Sequence, residues 1–364
     1  MHDLIHDMAR LVAKDVCFHV EHSPSNYFPL FGNSCHLSVL HAGSGPLELK
    51  ASKKNERLRT FLVMVSRSSN EAPPTAGLDP QLFLNLQFFR ALGLSRAGLT
   101  ELPGNIDNLV YLRYEESFQI AALRHGHKGQ LRSMAAGLGS LTSLQTLSSY
   151  IIRLKKGQGI EELKNINCLK GSLSIENINY VSNARDAEEA SLGTKARLDK
   201  LELRWRKTLT GDPSLQAQVF ANLQPHENLK EMLVQNYCGE IYPSWLTETT
   251  RRFTSIHLHG LRCCDTLPAL GQLPFLKSFY LSDMPRLEYV NYTFYGAGNG
   301  VKFPSLESFE LRNIVNLKQW TNISSGAMPR LVSFTIRKFE NLECLPPEIR
   351  AHLPSSEVSD CPKL

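Results

Sequence analysis

The sequence predicts an α/β fold in which short parallel strands and returning segments stack on one another as a solenoid. Three observations support this prediction. An apolar pattern, L-x-x-L-x-L followed by apolar residues 8 and 11 positions after the first, returns along the C-terminal half of the chain. Successive copies start about 23 to 31 residues apart. Hydrophobic residues make up 42% of the 364 residues, which is enough for a continuous core.

Three copies match the pattern at every position. They are "LKSFYLSDMPRL", "LESFELRNIVNL" and "LVSFTIRKFENL", which begin at Leu276, Leu306 and Leu331. Weaker copies begin at Leu198, Leu229, Phe253 and, nearer the N-terminus, Phe89. This spacing is typical of leucine-rich repeats. We therefore predict a leucine-rich-repeat solenoid, a horseshoe with a parallel sheet on its concave face, in which Leu281, Leu311 and Ile336 point inward from neighbouring strands.

Stacking is required by the energetics of one repeat. Each unit buries about five side chains at roughly 1.5–3 kcal/mol apiece, but only when neighbouring units cover them. Two segments interrupt the pattern. Residues 66–80 are rich in Ser, Pro and Gly and are predicted to form a surface loop. Residues 157–197 contain the strand-like "GSLSI" and then "NARDAEEASLGTKARL", which predicts a helix.

Charge, cysteines and motifs exclude several classes of protein. A net charge of +5 without a long basic run argues against a nucleic-acid partner. The eight cysteines are scattered and favour a reducing compartment. No signal peptide or apolar run of membrane length is present, so we expect a cytoplasmic protein without a membrane span. The sequence has no G-x-S-x-G, H-E-x-x-H or phosphate-loop motif, so we expect no enzymatic activity and no metal site.

A series of segments carries a family resemblance. In chain order they are "MHDLIHDMA", "LRTFLV", "LPGNIDNLVYLRY", "GLGSLTSLQTLSSYII", "IEELKNINCLKGSLSIENI", "LDKLELRW", "YPSWL" and "CCDTLPALGQLPFLKSFYLSDM". Together they resemble the C-terminal part of a plant nucleotide-binding leucine-rich-repeat disease resistance protein of the coiled-coil class. We therefore expect the chain to be a C-terminal fragment that begins at the Met-His-Asp motif of that family.

The resemblance implies a division of the chain into five parts. Residues 1–25 would be the short helical remnant of a winged-helix domain at the end of the nucleotide-binding module. The first residues also form an amphipathic pattern at helical spacing, which is consistent with a helix there. Residues 26–57 would be a linker and N-terminal cap, and residues 58–156 a first block of repeats. Residues 157–197 would be an irregular repeat with a helical insertion, and residues 198–364 a second block of repeats.

The same resemblance assigns two residues to a nucleotide. In the family, the Met-His-Asp histidine contacts the bound ADP, and the aspartate holds the local structure; these roles would fall on His2 and Asp3. The chain lacks a G-x-x-x-x-G-K-[ST] loop to cradle phosphates. We therefore expect no cofactor in this chain, and binding of ADP or ATP only together with the nucleotide-binding half.

The strand pattern also predicts a protein-binding surface. Residues beside the inward pair point into the concave face in two columns. The predicted protein-binding residues are Glu202, Arg204, His257, His259, Tyr280, Ser282, Glu310, Arg312, Thr335 and Arg337. Tyrosine and arginine often dominate protein interfaces, whereas alternating polar residues also occur on any solvated sheet face. The tryptophans Trp205, Trp245 and Trp320 are instead expected in the core.

Family resemblance and surface pattern together predict a recognition and autoinhibition module of a plant immune receptor. Its partners would be a pathogen effector or a guarded host protein, and the nucleotide-binding half of its own parent protein. The alternative is a general leucine-rich-repeat adaptor, such as the substrate receptor of a ubiquitin ligase, although no F-box-like segment precedes the repeats.

Overall fold

The structure, a computed structural model, describes residues 134–364 except 208–210, 299, 322, 324–325 and 351–356. Before residue 134 it describes the stretches 16–21, 27–28, 35–41, 48–51, 57–65, 77–78, 88–93, 108–109 and 111–115. Two compact units divide the chain, Met1–Leu169 and Lys170–Leu364. His2, Asp3 and the helix predicted at the start of the chain lie outside the described residues.

The first unit contains parallel sheets. Its strands are β1 (Cys17–Glu21), β2 (Tyr27–Phe28), β3 (His36–His41), β4 (Glu48–Ala51), β5 (Thr60–Val65), β6 (Gly77–Leu78), β7 (Ala91–Gly93), β8 (Tyr114–Glu115), β9 (Thr146–Leu147) and β10 (Ser149–Ile151). One sheet has the order β1-β3-β5-β7-β8-β9, and another has the order β2-β4-β6. The inward residues Leu37, Phe61 and Leu92 are in register and buried. Regular strand pairing therefore reaches into the segments predicted to be the winged-helix remnant and the cap.

The second unit carries the longer sheet. Its strands are β11 (Lys170–Glu176), β12 (Arg197–Arg204), β13 (Glu231–Gln235), β14 (Ser255–His259), β15 (Ser278–Ser282), β16 (Tyr289–Val290), β17 (Ser308–Arg312), β18 (Gln319–Trp320), β19 (Ser333–Arg337) and β20 (Glu357–Ser359). They pair in parallel in the order β11-β12-β13-β14-β15-β17-β19-β20, with β16 beside β18 in a small second sheet. Leu281 pairs with Leu311, and Leu311 pairs with Ile336, as predicted. All three side chains are buried, so the predicted leucine-rich-repeat register is confirmed.

A repeated turn follows the strands of this sheet. The first residue after a strand adopts a positive φ at Asn236, Gly260, Asp283 and Asn313, with φ between 54° and 71°. Asparagine, aspartate and glycine tolerate this left-handed conformation better than other residues. Their backbone N–H groups donate to the last carbonyl of the next strand, as from Asn236 to His259 at 2.8 Å. The turn therefore fixes where each strand ends and keeps the strands in register.

The core of the second unit is built from inward strand residues and from the returning segments. Phe309 lies at its centre, with ring centroids 5.5 Å from Phe279 and 5.6 Å from Phe334. The returning segments add Phe294, Phe303 and Trp320, whose ring centroids lie 5.9–6.4 Å from that of Phe309. Trp205, Trp245 and Trp320 are all buried, as expected. Aromatic contacts thus connect several repeats across the sheet.

Helices are few and short in the described part of the second unit. They are α1 (Ala184–Glu189), α2 (Pro213–Asn222) and α3 (Pro347–Arg350). The predicted helix after "GSLSI" is present as α1, capped by Asn183, whose side chain accepts from the Arg185 N–H, and is followed by a 3-10 turn at Leu192–Thr194. Helix α2 was not predicted; its Gln216 accepts a hydrogen bond from the buried Trp205 Nε1 at 2.7 Å. Within the residues described, no helix combines the length and the apolar character needed to span a bilayer.

The remaining turns of the chain include short 3-10 helices. Apart from Leu192–Thr194, the described ones lie at Leu138–Ser140, Ile160–Leu163, Ile178–Tyr180, Ser244–Thr247 and Tyr292–Tyr295. Each buries at least one apolar side chain, for example Trp245 and Leu246 in Ser244–Thr247 and Phe294 in Tyr292–Tyr295. Within each unit, these turns lie in the segments that connect successive strands and contribute apolar side chains to the core.

Candidate protein-binding face

The solvent-facing side of the sheet carries the two predicted columns, which we call the polar face. The first column is Glu202, Leu233, His257, Tyr280, Glu310 and Thr335; the second is Arg204, Gln235, His259, Ser282, Arg312 and Arg337. Strand β11 extends both columns at one end and β20 at the other. With neighbouring strands about 4.8 Å apart, the six predicted strands span roughly 25 Å. The register therefore places residues far apart in sequence on one surface.

Tyr280 occupies the centre of this face. Its ring centroid lies 5.6 Å from that of His257 on one side, and the Arg312 guanidinium carbon lies 6.0 Å from it on the other. Arg312 also forms an ion pair with Glu310. An aromatic ring flanked by a guanidinium group presents the residue types that most often dominate protein interfaces. We call His257, Tyr280 and Arg312 the Tyr280 cluster, or central cluster; its residue types make it the strongest candidate on this face for binding a protein.

His257 is neutral at neutral pH in this setting. Burial beside Tyr280 lowers its pKa, and the nearby Lys200 ammonium lowers the pKa further. Its Nε2 lies 2.9 Å from the Ser255 Oγ. The central cluster therefore combines one cation, Arg312, which is paired with Glu310, and a neutral imidazole that can share a hydrogen bond.

His259 belongs to a separate hydrogen-bond network at the edge of the face. Its Nδ1 lies 2.6 Å from the Ser282 Oγ and 3.1 Å from the Asp283 Oδ2. Asp283 Oδ1 accepts a hydrogen bond from Asn313 Nδ2 at 2.5 Å. Ser282 is only 1% exposed, so its hydroxyl holds His259 in place and is not available to a partner. This corrects the prediction that placed Ser282 among the contact residues.

Asp283 makes the stability of the sheet depend on pH at the acid end. The hydrogen bond from His259, followed by those from Asn313 and Ser282, lowers the pKa of Asp283 to about 2. Since this folded-state pKa is below the unfolded value of about 3.8, the unfolded chain binds more protons between these values. The stabilisation is therefore present above pH 4 and is lost as the pH falls toward 2.

We expect Asp283→Asn to remove this pH dependence while keeping the turn, because asparagine also tolerates the positive φ of 58°. Urea unfolding at pH 5, 4 and 3 measures it. The wild type should lose stability more steeply than the variant over this range, and Asp265→Asn, an exposed site outside the network, should follow the wild type. Parallel slopes for the wild type and Asp283→Asn would contradict the assignment.

The charges at the two ends of the polar face are paired. Glu202 lies 2.9 Å from Lys200 and 2.5 Å from Arg204. Burial raises the pKa of Glu202, but hydrogen bonds from Arg204 and Lys200 outweigh burial and lower the pKa overall. At the other end Arg337 pairs with Glu357, which was not predicted. A partner that contacts these ends, or Arg312 in the centre, must compete with existing ion pairs, whereas the Tyr280 ring is not engaged in one.

The described part of the chain holds no group of three or more His, Cys, Asp or Glu side chains placed to bind a metal ion. The polar face instead combines hydroxyl, imidazole, guanidinium and carboxylate groups on a rigid sheet. Such an arrangement can bind another macromolecule by hydrogen bonds and stacking.

Comparisons with known proteins support the family resemblance. Residues 160–284 match the leucine-rich-repeat family described as R13L1/DRL21 LRRs. A putative disease resistance protein of Arabidopsis thaliana is 28% identical over 427 residues, which covers 100% of this chain and 29% of that protein. The putative disease resistance protein RGA1 of Solanum bulbocastanum is 30% identical over 288 residues, covering 68% of this chain and 29% of that protein. The chain is thus related to plant disease resistance proteins, and it spans less than a third of the length of these two relatives.

Among solved structures, a leucine-rich-repeat protein of Leptospira interrogans aligns with 91% of this chain and 78% of its own chain. The sequence identity is 15% and the TM-score 0.40.

Proposed function

We propose that this chain, a leucine-rich-repeat relative of plant disease resistance proteins, is the recognition module of an intracellular plant immune receptor. It binds a protein partner, a pathogen effector or a guarded host protein, through the polar face. The relationship along the whole chain supports the immune role. The Tyr280 cluster on a sheet of stacked parallel strands is the observation that carries the binding mode.

The size and rigidity of the face support protein binding. A typical protein partner buries about 800 Å² on each side of an interface. Six strands provide a width of about 25 Å, and the inward side chains beneath them are fully packed, so little reordering is needed on binding. Tyr280 and Arg312 would supply most of the affinity, with Glu310 and Thr335 forming the adjacent rim.

A second part of the proposal concerns the inactive receptor. The same module would contact the nucleotide-binding half of a full-length receptor and hold it in the ADP-bound state until a partner binds. His2 and Asp3 would take part in that contact only in the presence of the nucleotide-binding half. This role rests on the family resemblance, and co-precipitation with a nucleotide-binding module of the same family would test it.

Photo-crosslinking tests the binding mode directly. The chain carrying p-benzoylphenylalanine in place of Tyr280 is expressed in leaves and irradiated before and after infection. We expect a discrete protein adduct, and we expect Arg312→Ala in the same chain to reduce its yield at least tenfold, since a central arginine contact is worth about 2 kcal/mol or more.

The matched control places the crosslinker at Tyr289, which is 50% exposed and lies in the small sheet outside the polar face. It should give no adduct of the same mass. Equal adducts from positions 280 and 289, or no adduct at position 280 in any condition, would contradict recognition through the polar face.

A further inference from the structure

A groove runs along the edge of the second-unit sheet where strands β12 to β15 begin. It has a volume of about 620 Å³. It is lined by Ala196, Arg197, Leu198, Asp199, Asn228, Lys230, Arg252, Thr254 and Phe275. Apart from Ala196, these residues lie three, two or one position before Lys200, Glu231, Ser255 or Ser278, which pair in register on successive strands. The groove is separate from the polar face, because Asp199 and Glu202 are about 10 Å apart along the same strand.

The charge of the groove is positive. Lys230 is paired with Asp199 at 2.8 Å, whereas Arg197 and Arg252 are exposed and have no carboxylate within 4.0 Å among the described residues. They stand at equivalent positions two strands apart, so their backbones are separated by about 10 Å. Two guanidinium groups that lack a carboxylate partner within the described part of the chain, each able to bind one in a bidentate manner, favour an acidic ligand.

The groove also has an apolar end. Phe275 occupies the position equivalent to Arg252 on the next strand, and it is 51% exposed. The aliphatic side chain of Leu198 lies at the base of the other end. An exposed phenylalanine beside cationic groups favours a ligand that offers an apolar side chain next to its carboxylates.

We propose that this groove binds an extended acidic peptide segment of a partner protein. The segment lies across the N-terminal ends of these strands in an extended polyproline II conformation. Two carboxylates three residues apart bind Arg197 and Arg252, because such a chain advances about 3.1 Å per residue and returns to the same face every three residues. An aliphatic or aromatic side chain one or two residues further along packs on Phe275. The site is a second protein-binding surface, and it does not depend on recognition through the polar face.

Selection from a phage-displayed library of random dodecapeptides on the full chain tests this proposal. We expect enriched peptides to contain two acidic residues three positions apart, followed by an apolar residue. For the best peptide, labelled with fluorescein, fluorescence anisotropy should show at least a tenfold weaker affinity for the double variant Arg197→Glu/Arg252→Glu and at least a threefold weaker affinity for Phe275→Ser. Affinity should also fall as salt is raised.

Arg330→Glu is the matched control, because Arg330 is exposed and takes the equivalent position before β19, outside the groove. It should change the affinity less than twofold. Circular dichroism melting curves are compared first, so that only variants that fold like the wild type are scored. Because every substituted side chain is at least half exposed or at the surface, we expect all of them to fold.

Three results would overturn the proposal. The selection could return no peptide whose binding is weakened by the double variant, or it could return peptides without carboxylates. A fluorescein-labelled uridine dodecamer could bind instead with the same dependence on Arg197 and Arg252, which would make the groove a nucleic-acid site. Crosslinking from position 280 is independent of each of these outcomes.

Discussion

Phe309→Ala is expected to lower the free energy of unfolding by about 3–5 kcal/mol, the usual cost of removing a buried phenylalanine ring. Phe309 is 1% exposed, and its ring contacts aromatic rings from the neighbouring strands and from the returning segments. Truncation would leave a cavity between β15, β17 and β19 that the surrounding rings cannot fill without shifting the backbone that carries them. Equilibrium urea unfolding followed by circular dichroism measures the loss.

Tyr289→Ala provides the control for Phe309→Ala. Tyr289 is also an aromatic residue of a strand in the same unit, but it is 50% exposed. Its truncation should change stability by less than about 0.5 kcal/mol. Similar losses for the two variants would mean that Phe309 does not occupy the centre of a packed core.

Gly271→Ala is the second large effect, with an expected loss of about 2–3 kcal/mol from overpacking. A Cβ at this position would lie 2.4 Å from the Tyr295 carbonyl oxygen and 2.7 Å from the Tyr295 Cα. These are backbone atoms of the next repeat, so no side-chain rotation relieves the contact. The backbone there is further fixed by hydrogen bonds from the Gly271 N–H to Phe294 and from the Phe303 N–H to Gly271.

Gly193→Ala separates this clash from the general effect of adding a methyl group. A Cβ at Gly193 would meet its nearest neighbour, the Gln224 carbonyl oxygen, at 3.7 Å, an ordinary contact distance. Gly193→Ala should therefore be neutral or stabilising by up to about 1 kcal/mol, because alanine restricts the unfolded chain. Thermal unfolding of both variants provides the comparison, and a loss of equal size at the two glycines would refute the close approach.

The same close approach explains one motif of the sequence. Leu-Gly-x-Leu occurs at residues 138–141 and 270–273. At Gly139, too, an added Cβ would lie 2.7 Å from a carbonyl oxygen of the next segment, that of Glu162. Both segments were singled out in the sequence only because they carry the family resemblance. The close backbone approach gives the physical reason that each of them contains glycine.

Alternation within the strands was predictable because it depends only on local pattern. Leu281, Leu311 and Ile336 could be placed on neighbouring strands because the spacing between an inward pair and the next leucine is constant. The same argument placed His257, Tyr280 and Glu310 in one column. Whether these residues bind a partner stays a prediction, since register fixes position and not affinity.

Other features could not be read from alternation. The alternation places Ser282 on the solvent-facing side of its strand, but its hydroxyl is buried in hydrogen bonds with the side chains of His259 and Asp283. Alternation cannot predict such contacts, because His259 belongs to a different repeat. Helix α2 lies between two strands and has little apolar periodicity; the signal that could have found it is Asp212 followed by Pro213, a cap residue before a proline at the first helical position. The edge groove was missed because its walls combine positions from four successive repeats.

A crystal structure of the full chain would test the central claim most directly, namely that in-register parallel repeats place Tyr280 and its neighbours on one solvent-facing surface. The account predicts Leu281, Leu311 and Ile336 on adjacent strands about 4.8 Å apart, with Tyr280, Glu310 and Thr335 half-buried beside them on the solvent-facing side. A register shifted by one residue would turn Tyr280 and Glu310 into the core and would contradict the account.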